Sequence, residues 1–187
     1  MRSKHGATGF ATWLASRVYG EACVSDPARS IWRGALAGLV GGLLAAGAMS
    51  LVHQMLPKRD TPADEGEDAT VKTADAVLRG VAGRPLPEAA KPAASQIVHY
   101  AFGGGVGAVY GGLAELVPRV SVGFGAPFGV AVWLGAHVIT VPALGLADSP
   151  ARRPLAREAP ELGLHVVYGA GVELVRRLAR GLRSARR

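Results

Sequence analysis

The chain has 187 residues, of which 49% are apolar and 26 are glycine. This composition is unusual for a soluble domain and typical of membrane helices, in which glycine is more frequent than in soluble helices. The formal net charge is +7, but the basic residues lie at the two ends and in short segments between apolar runs. That placement follows the positive-inside rule and argues against nucleic acid as a partner.

Four apolar runs predict transmembrane helices, because a bilayer core requires roughly 20 predominantly apolar residues. The predicted spans cover about residues 34–56, 94–117, 122–146 and 161–178. The third run is interrupted near Pro142. The fourth has an apolar core of 14 residues, and it reaches membrane length if Glu161 and the pair Arg176-Arg177 extend to the two interfaces.

The other segments are predicted to lie outside the bilayer. Residues 1–30 are interpreted as an amphipathic segment at the membrane surface, or as an ordered leader without a function. Residues 57–93 are an acidic extramembrane loop with one apolar helical face, which predicts an interfacial helix. Residues 181–187 form a basic tail. The sequence therefore predicts an all-α, polytopic membrane bundle over residues 31–180, with four transmembrane helices plus short interfacial helices.

Small residues recur at every fourth position in the first three apolar runs. In lipid no hydrophobic force acts between helices, so this spacing favours association through close approach of the backbones. The glycines predicted to pack in this way are Gly38, Gly42, Gly103, Gly107, Gly111, Gly125 and Gly129. A glycine-lined pore is the alternative interpretation.

A short repeat relates the second and fourth apolar runs. Residues 99–106 and 165–172 both begin with histidine and share an aromatic residue, two glycines and a valine at matching positions. In a four-span topology both runs enter the bilayer from the same side, so the repeat predicts two parallel two-helix units. Chance similarity between glycine-rich segments is the alternative.

Ionisable residues inside membrane segments are functional candidates, because exposing them to lipid is costly. Each apolar run contains one histidine, and all four histidines are predicted near the same surface. The candidate functional residues are His53, His99, His137, His165, Glu115, Glu161 and Glu173. Hydrogen bonding to loops and backbone without a function, handling of protons or ions, and binding of a metal or haem are the competing interpretations.

The sequence contains no catalytic constellation or phosphate-binding loop in a suitable context. Paired histidines four residues apart and Glu-x-x-His units, which would favour a metal site on one helix, are also absent from it. We therefore expect no catalytic residue, no metal ligand and no cofactor.

The carboxyl-terminal half contains a pattern that resembles a known family. The pattern is Gly125-x-x-Phe128-Gly129-x-x-x-Trp133-x-x-x-His137, Pro142-x-x-Gly145, Glu161-x-x-x-His165 and Glu173-x-x-Arg176-Arg177, with His99 and Tyr110-Gly111 upstream. Over roughly residues 34–180 the chain resembles the YagU-like group of small bacterial inner-membrane proteins, from which its long acidic loop and first thirty residues depart. The resemblance implies a helical, membrane-embedded fold and no assigned activity. It singles out His137, Glu161, His165 and Glu173.

These observations predict an integral membrane protein of a bacterial inner membrane, without enzymatic activity and with a structural or interaction role. Its expected partners are the lipid bilayer and either further copies of the chain or another membrane protein. The first alternative is a small transporter or proton- or ion-handling protein that uses the histidines with Glu115 and Glu173. The second is a metal- or haem-binding membrane protein.

The distribution of basic residues predicts the topology. Twelve of the 21 Lys and Arg residues fall on the side of the two termini, which the positive-inside rule assigns to the cytoplasm. Reporter fusions at Ala69 and Arg187 are therefore expected to report the periplasm and the cytoplasm, respectively. The opposite result at both sites would invert the topology.

Overall fold

The computed structural model describes residues 27–55, 68–146 and 155–185, and every regular element in these ranges is helical. The principal helices are α1 (Pro27–Met55), α2 (Ala69–Ala82), α3 (Lys91–Leu116), α4 (Ala126–Trp133) and α5 (Leu155–Ser184). A π-helix (Leu134–Thr140) and a short α-helix (Val141–Ala143) continue α4. Short 3₁₀ helices, Glu88–Ala90 and Pro118–Gly125, precede α3 and α4. The predicted all-α class is confirmed for the described residues.

Several predicted segments differ from the helices in extent. The surface segment 1–30 lies outside the described residues apart from its last four, which begin α1, and residues 57–67 of the acidic loop also lie outside. Helix α5 is 30 residues long, far longer than the predicted fourth span. It continues into the predicted basic tail and ends at Ser184.

Two stretches of the described chain are long and apolar enough to cross a bilayer, Ser30–Met55 and Pro118–Ala143. By this measure two of the four predicted spans qualify. The second stretch contains a kink, since Val122, Gly123 and Phe124 leave helical backbone angles. Its continuous helical part therefore begins at Ala126 and measures about 27 Å at 1.5 Å per residue.

Helices α1 and α3 are antiparallel and pack through glycine. Gly38 faces the backbone of Gly107, and Gly42 faces that of Gly103; a Cβ atom at either α1 position would overlap the opposing carbonyl oxygen. One turn earlier in α1, Gly34 faces Gly111 in the same way. The contact therefore requires glycine on both helices, because the two backbones touch directly.

A second glycine contact joins α4 to α5. A Cβ atom at Gly125 would overlap the carbonyl oxygen of Gly169, and one at Gly129 would overlap that of His165. This helix pair is also antiparallel. Gly103 and Gly169, which match in the sequence repeat, thus occupy the corresponding place in two helix pairs.

The two pairs meet where α1 packs on α5. At Gly41, a Cβ atom would lie 3.1 Å from the Cα of Val172, and at Gly171 one would lie 3.3 Å from the Cβ of Ala45. Val172 is fully buried there. Since α3 and α5 are each antiparallel to α1, they run parallel to each other, as the repeat predicted.

The turn before α4 has a left-handed backbone. Gly123 and Gly125 have φ values of 70° and 79°, and Phe124 between them has a φ of 55°, which is uncommon for a residue with a side chain. The guanidinium carbon of Arg177 lies 4.7 Å from the centre of the Phe124 ring. This cation–π contact ties the turn to the carboxyl-terminal half of α5.

The π-helix explains the predicted interruption near Pro142. Proline has no N–H to donate and its ring clashes with the carbonyl group four residues earlier. The backbone widens accordingly: Val141 N–H donates to the carbonyl of Ala136, and Leu146 N–H donates to that of Val141 at 3.0 Å. His137 lies in this widened stretch.

Helix α2 forms within the predicted extramembrane loop. The Asp68 carboxylate caps its amino terminus by accepting from Thr70 N–H at 2.9 Å, and Gly83 ends it with a φ of 65°. The Thr70 and Ser95 hydroxyls lie 2.6 Å apart and join α2 to α3. Val81 on α2 remains 85% exposed, so part of the apolar face has no partner among the described residues.

The glycine contact between α1 and α3 is expected to fail when one glycine is enlarged. Gly107→Leu places a side chain against the Gly38 carbonyl group and should lower the stability by about 2 kcal/mol or more, because overpacking at a backbone contact cannot be relieved by a rotamer change. The measurement is thermal unfolding of the full chain in detergent.

Gly105→Leu is the matched control on the same helix. Nothing lies within 4 Å of a Cβ atom at Gly105, and leucine has a higher helix propensity than glycine. We expect this variant to be as stable as the original chain or more stable. If Gly107→Leu were as stable as Gly105→Leu, helix α3 would not use the face of Gly107 for packing.

Candidate functional site

The ionisable side chains between the helices form two clusters at opposite ends of the bundle. The carboxylate–arginine cluster consists of Tyr110, Glu115, Glu173, Arg176 and Arg177. The histidine cluster consists of His53, His137, Glu161 and His165. Helix α5 contributes to both, and its residues His165 and Glu173 are separated by about 12 Å along the helix axis.

Glu173 is the centre of the carboxylate–arginine cluster and is fully buried. Its Oε2 accepts from the Tyr110 hydroxyl at 2.9 Å and from Arg176 Nε at 2.7 Å. Its Oε1 accepts from Arg176 Nη2 at 2.9 Å and from Arg177 Nε at 2.6 Å. Both carboxylate oxygens therefore accept two hydrogen bonds each, which satisfies the buried charge.

Glu115 adds a second contact with α3 and extends this cluster to α1. Its Oε1 accepts from Arg176 Nη1 at 3.1 Å, and its Oε2 accepts from the Ser30 hydroxyl at 3.0 Å. Arg180, which is half exposed, approaches the same Oε1 at 3.4 Å. Through these bonds the Arg176 guanidinium joins α5 to α3, and Glu115 joins α3 to the start of α1.

The prediction that Arg176 extends to the membrane interface is wrong. Its side chain is buried, with 3% of the residue exposed, and it bridges Glu173 and Glu115. The guanidinium turns inward because two carboxylates there offer charge-assisted hydrogen bonds. Arg177, half exposed, is the residue of the pair that reaches outward.

In the histidine cluster, three imidazoles surround the Glu161 carboxylate. His53 Nε2 lies 3.3 Å from Oε2. His165 Nδ1 and His137 Nε2 lie 3.6 Å and 3.9 Å from Oε1. The His137 and His165 rings are perpendicular, with their centres 5.0 Å apart. Three separate parts of the fold, α1, the π-helix and α5, supply these side chains.

His165 is the most enclosed histidine of the cluster, with 6% of the residue exposed. Its Nδ1 lies 2.9 Å from the Glu161 carbonyl oxygen. A carbonyl oxygen only accepts, so Nδ1 carries the proton of this bond. The lone pair of neutral His165 is therefore on Nε2.

His99 does not join the other three histidines. Its Nε2 lies 3.2 Å from the Ala46 carbonyl oxygen, on the side of α1 that faces α3. The four histidines were expected at one depth in the bundle. Three of them surround Glu161, whereas His99 lies apart and contacts a neighbouring helix.

Glycine contacts hold both clusters in position. Gly129 allows α4 to approach the backbone at His165, and Gly125 allows the same approach at Gly169, close to Glu173. Larger residues at these two positions would separate α4 from α5 beside both clusters.

Sequence reasoning did not identify several partners. Tyr110 appeared there as a motif residue without a role, Arg176 was expected at an interface, and Ser30 did not appear. The Tyr168 hydroxyl, which donates to the Gly103 carbonyl at 2.5 Å, was also missed. These partners are 61 to 85 positions away from their interhelical contacts, so only the helix packing reveals them.

Among known proteins, residues 86–174 match the family described as "Protein of unknown function (DUF1440)". No curated protein and no solved structure matches the chain. The matched region contains Glu115, Glu173 and three of the four residues of the histidine cluster, but neither α1 nor Arg176. An uncharacterised family agrees with the resemblance drawn from the sequence, whereas the YagU-like name stays a prediction.

Proposed function

We propose that the chain is a multi-pass integral membrane protein of a bacterial inner membrane, in which α1, α3, α4 with its continuation, and α5 each cross the bilayer. One observation carries this proposal: charged side chains are buried inside the bundle, and large apolar side chains lie on its outer surface. Glu173 and Arg176 are buried, whereas Leu44, Val109 and Val167 are 61%, 70% and 60% exposed. A soluble bundle would bury these apolar side chains and keep the charges in water.

The hydropathy of α3 and α5 is low for reasons that do not oppose a membrane location. Glycines at helix contacts lower the mean hydropathy of α3, which has no Asp, Glu, Lys or Arg from Pro92 to Ala114. In α5, the ionisable residues between Leu162 and Arg176 all belong to buried clusters. The outward face of α5 there consists of apolar side chains and glycine, which lipid tolerates.

Within the membrane we assign the protein a structural or interaction role without enzymatic activity. The hydroxyls of Ser30 and Tyr110 donate to the carboxylates of Glu115 and Glu173, and arginine donors bind the same two carboxylates, so these groups serve to join the helices. Exposed apolar faces on every long helix fit lipid, further copies of this chain, or another membrane protein. Both termini are assigned to the cytoplasm.

Arginine substitutions at two exposed apolar residues test the membrane location. Leu44→Arg, in the middle of α1, should cost roughly 2.5–3.5 kcal/mol if the residue faces the bilayer centre. The amount of protein that stays in membranes after an alkaline carbonate wash should then fall severalfold. Val81→Arg, on the extramembrane helix α2, is the control and should leave that amount unchanged.

In a soluble protein both side chains would point into water and both substitutions would be mild. Equal recovery of the two variants, together with release of the original chain by the carbonate wash, would therefore refute the proposal.

Handling of protons or ions is the second candidate function. It is favoured by a row of buried polar side chains along the inward face of α5, from His165 through Tyr168 to Glu173 and Arg176. Such rows mark proton and ion pathways in membrane proteins. The row extends along α5 from the histidine cluster to the carboxylate–arginine cluster.

A flux measurement tests this candidate. Purified protein in vesicles with an internal pH-sensitive dye should dissipate an imposed pH gradient faster than protein-free vesicles. Glu173→Gln should reduce the rate at least about tenfold by removing an ionisable group from the row, whereas His99→Gln, outside it, should not. A rate equal to that of empty vesicles excludes proton handling.

A further inference from the structure

The histidine cluster has the composition of a metal site. It presents three imidazole nitrogens and one carboxylate, and donor atoms of His137, Glu161 and His165 lie within 4.8 Å of one another. The four residues come from three separate parts of the fold, so their convergence is a product of the tertiary structure. Sequence spacing within single helices had given no sign of it.

The separations between the groups suit a shared ion better than direct hydrogen bonds. A hydrogen bond between nitrogen and oxygen has a length of about 2.7–3.2 Å, whereas His137 Nε2 lies 3.9 Å from Glu161 Oε1 and His53 Nε2 lies 3.3 Å from Oε2. Ligands of a tetrahedral ion with bonds of about 2.0–2.1 Å are roughly 3.3 Å apart. The separation of His53 Nε2 from Glu161 Oε2 already matches this value, and donor atoms of His137, Glu161 and His165 lie within 4.8 Å of one another.

Two further observations support ligand binding at this place. His137 is in a π-helix, a rare conformation that is often found at functional sites. His165 already donates through Nδ1 to the Glu161 carbonyl, and metal-bound histidines usually make such a bond with the nitrogen that does not bind the metal. The bond leaves Nε2 of His165 as a ligand.

The donor set selects the class of metal. Imidazole nitrogen favours zinc and the other late first-row ions, whereas Mg²⁺ and Ca²⁺ prefer oxygen ligands. Three neutral imidazoles and one carboxylate leave one positive charge on a divalent complex, and the Asp68 carboxylate at the start of α2 interacts electrostatically with His137. The side chains of His53 and His137 are about half exposed, which gives an ion access from one end.

We propose that His53, His137, Glu161 and His165 bind one divalent zinc-class ion at this end of the bundle. The site ties the carboxyl-terminal end of α1 to the π-helix and to α5. This proposal does not depend on the membrane location or on ion flux, since it rests only on the convergence of the four side chains.

The test uses the full chain, purified in detergent without a polyhistidine tag and with Co²⁺ as a spectroscopic probe. Four-coordinate Co²⁺ has intense visible absorption that the hydrated ion lacks. We expect one Co²⁺ per chain with this absorption, displaced stoichiometrically by Zn²⁺. Loss of a hydrogen bond to a ligand costs roughly 10–100-fold in metal affinity, so Glu161→Gln and His137→Gln should weaken Zn²⁺ binding by at least that factor.

His99→Gln is the matched control, because this histidine is outside the cluster, and its affinity should equal that of the original chain. His137 is partly exposed, so its substitution keeps the test informative if Glu161→Gln fails to fold. Absence of the four-coordinate spectrum, or equal binding by His137→Gln and His99→Gln, would overturn the proposal. Neither result changes the outcome of the carbonate wash, which tests the membrane location separately.

Discussion

Direct contact between glycine backbones is the constraint on which the rest of this structure depends. It occurs at two helix interfaces, where Gly38 meets Gly107 and where Gly125 meets Gly169. Each contact brings two helix axes closer than side chains would allow, and the polar groups reach one another only because of this approach. The bundle therefore consists of two glycine-packed pairs joined along α1 and α5, and each polar cluster draws side chains from both pairs.

The long helices and their glycine faces were accessible from sequence because both leave periodic, local signals. Apolar runs define the helices, and a four-residue spacing of small residues defines a face that another helix can approach. The repeat that begins at His99 and His165 even indicated that α3 and α5 run parallel. By contrast, the turn at 122–125 and the length of α5 depend on backbone details that apolar runs do not encode.

The arrangement of the polar residues could be predicted only in part from the sequence. Sequence identified His53, His137, Glu161 and His165, but it grouped them with His99 by depth alone. Depth follows from position in a helix, whereas the direction of a side chain around the helix axis depends on the partner that it finds. For the same reason Arg176 was expected at an interface: its proximity to Glu115, 61 positions away, is set by two interhelical contacts.

The spacing of Glu173 and Arg176 has a consequence for biosynthesis. The two residues are three positions apart on one helix and form an ion pair there, so their mutual neutralisation requires no second helix. A helix that enters a bilayer with its charges already paired avoids much of the cost of transferring separate ions. The same pair also offers Arg176 Nη1 to Glu115 and the Glu173 carboxylate to Tyr110, so a single helical turn supplies both its own neutralisation and the polar contact with α3.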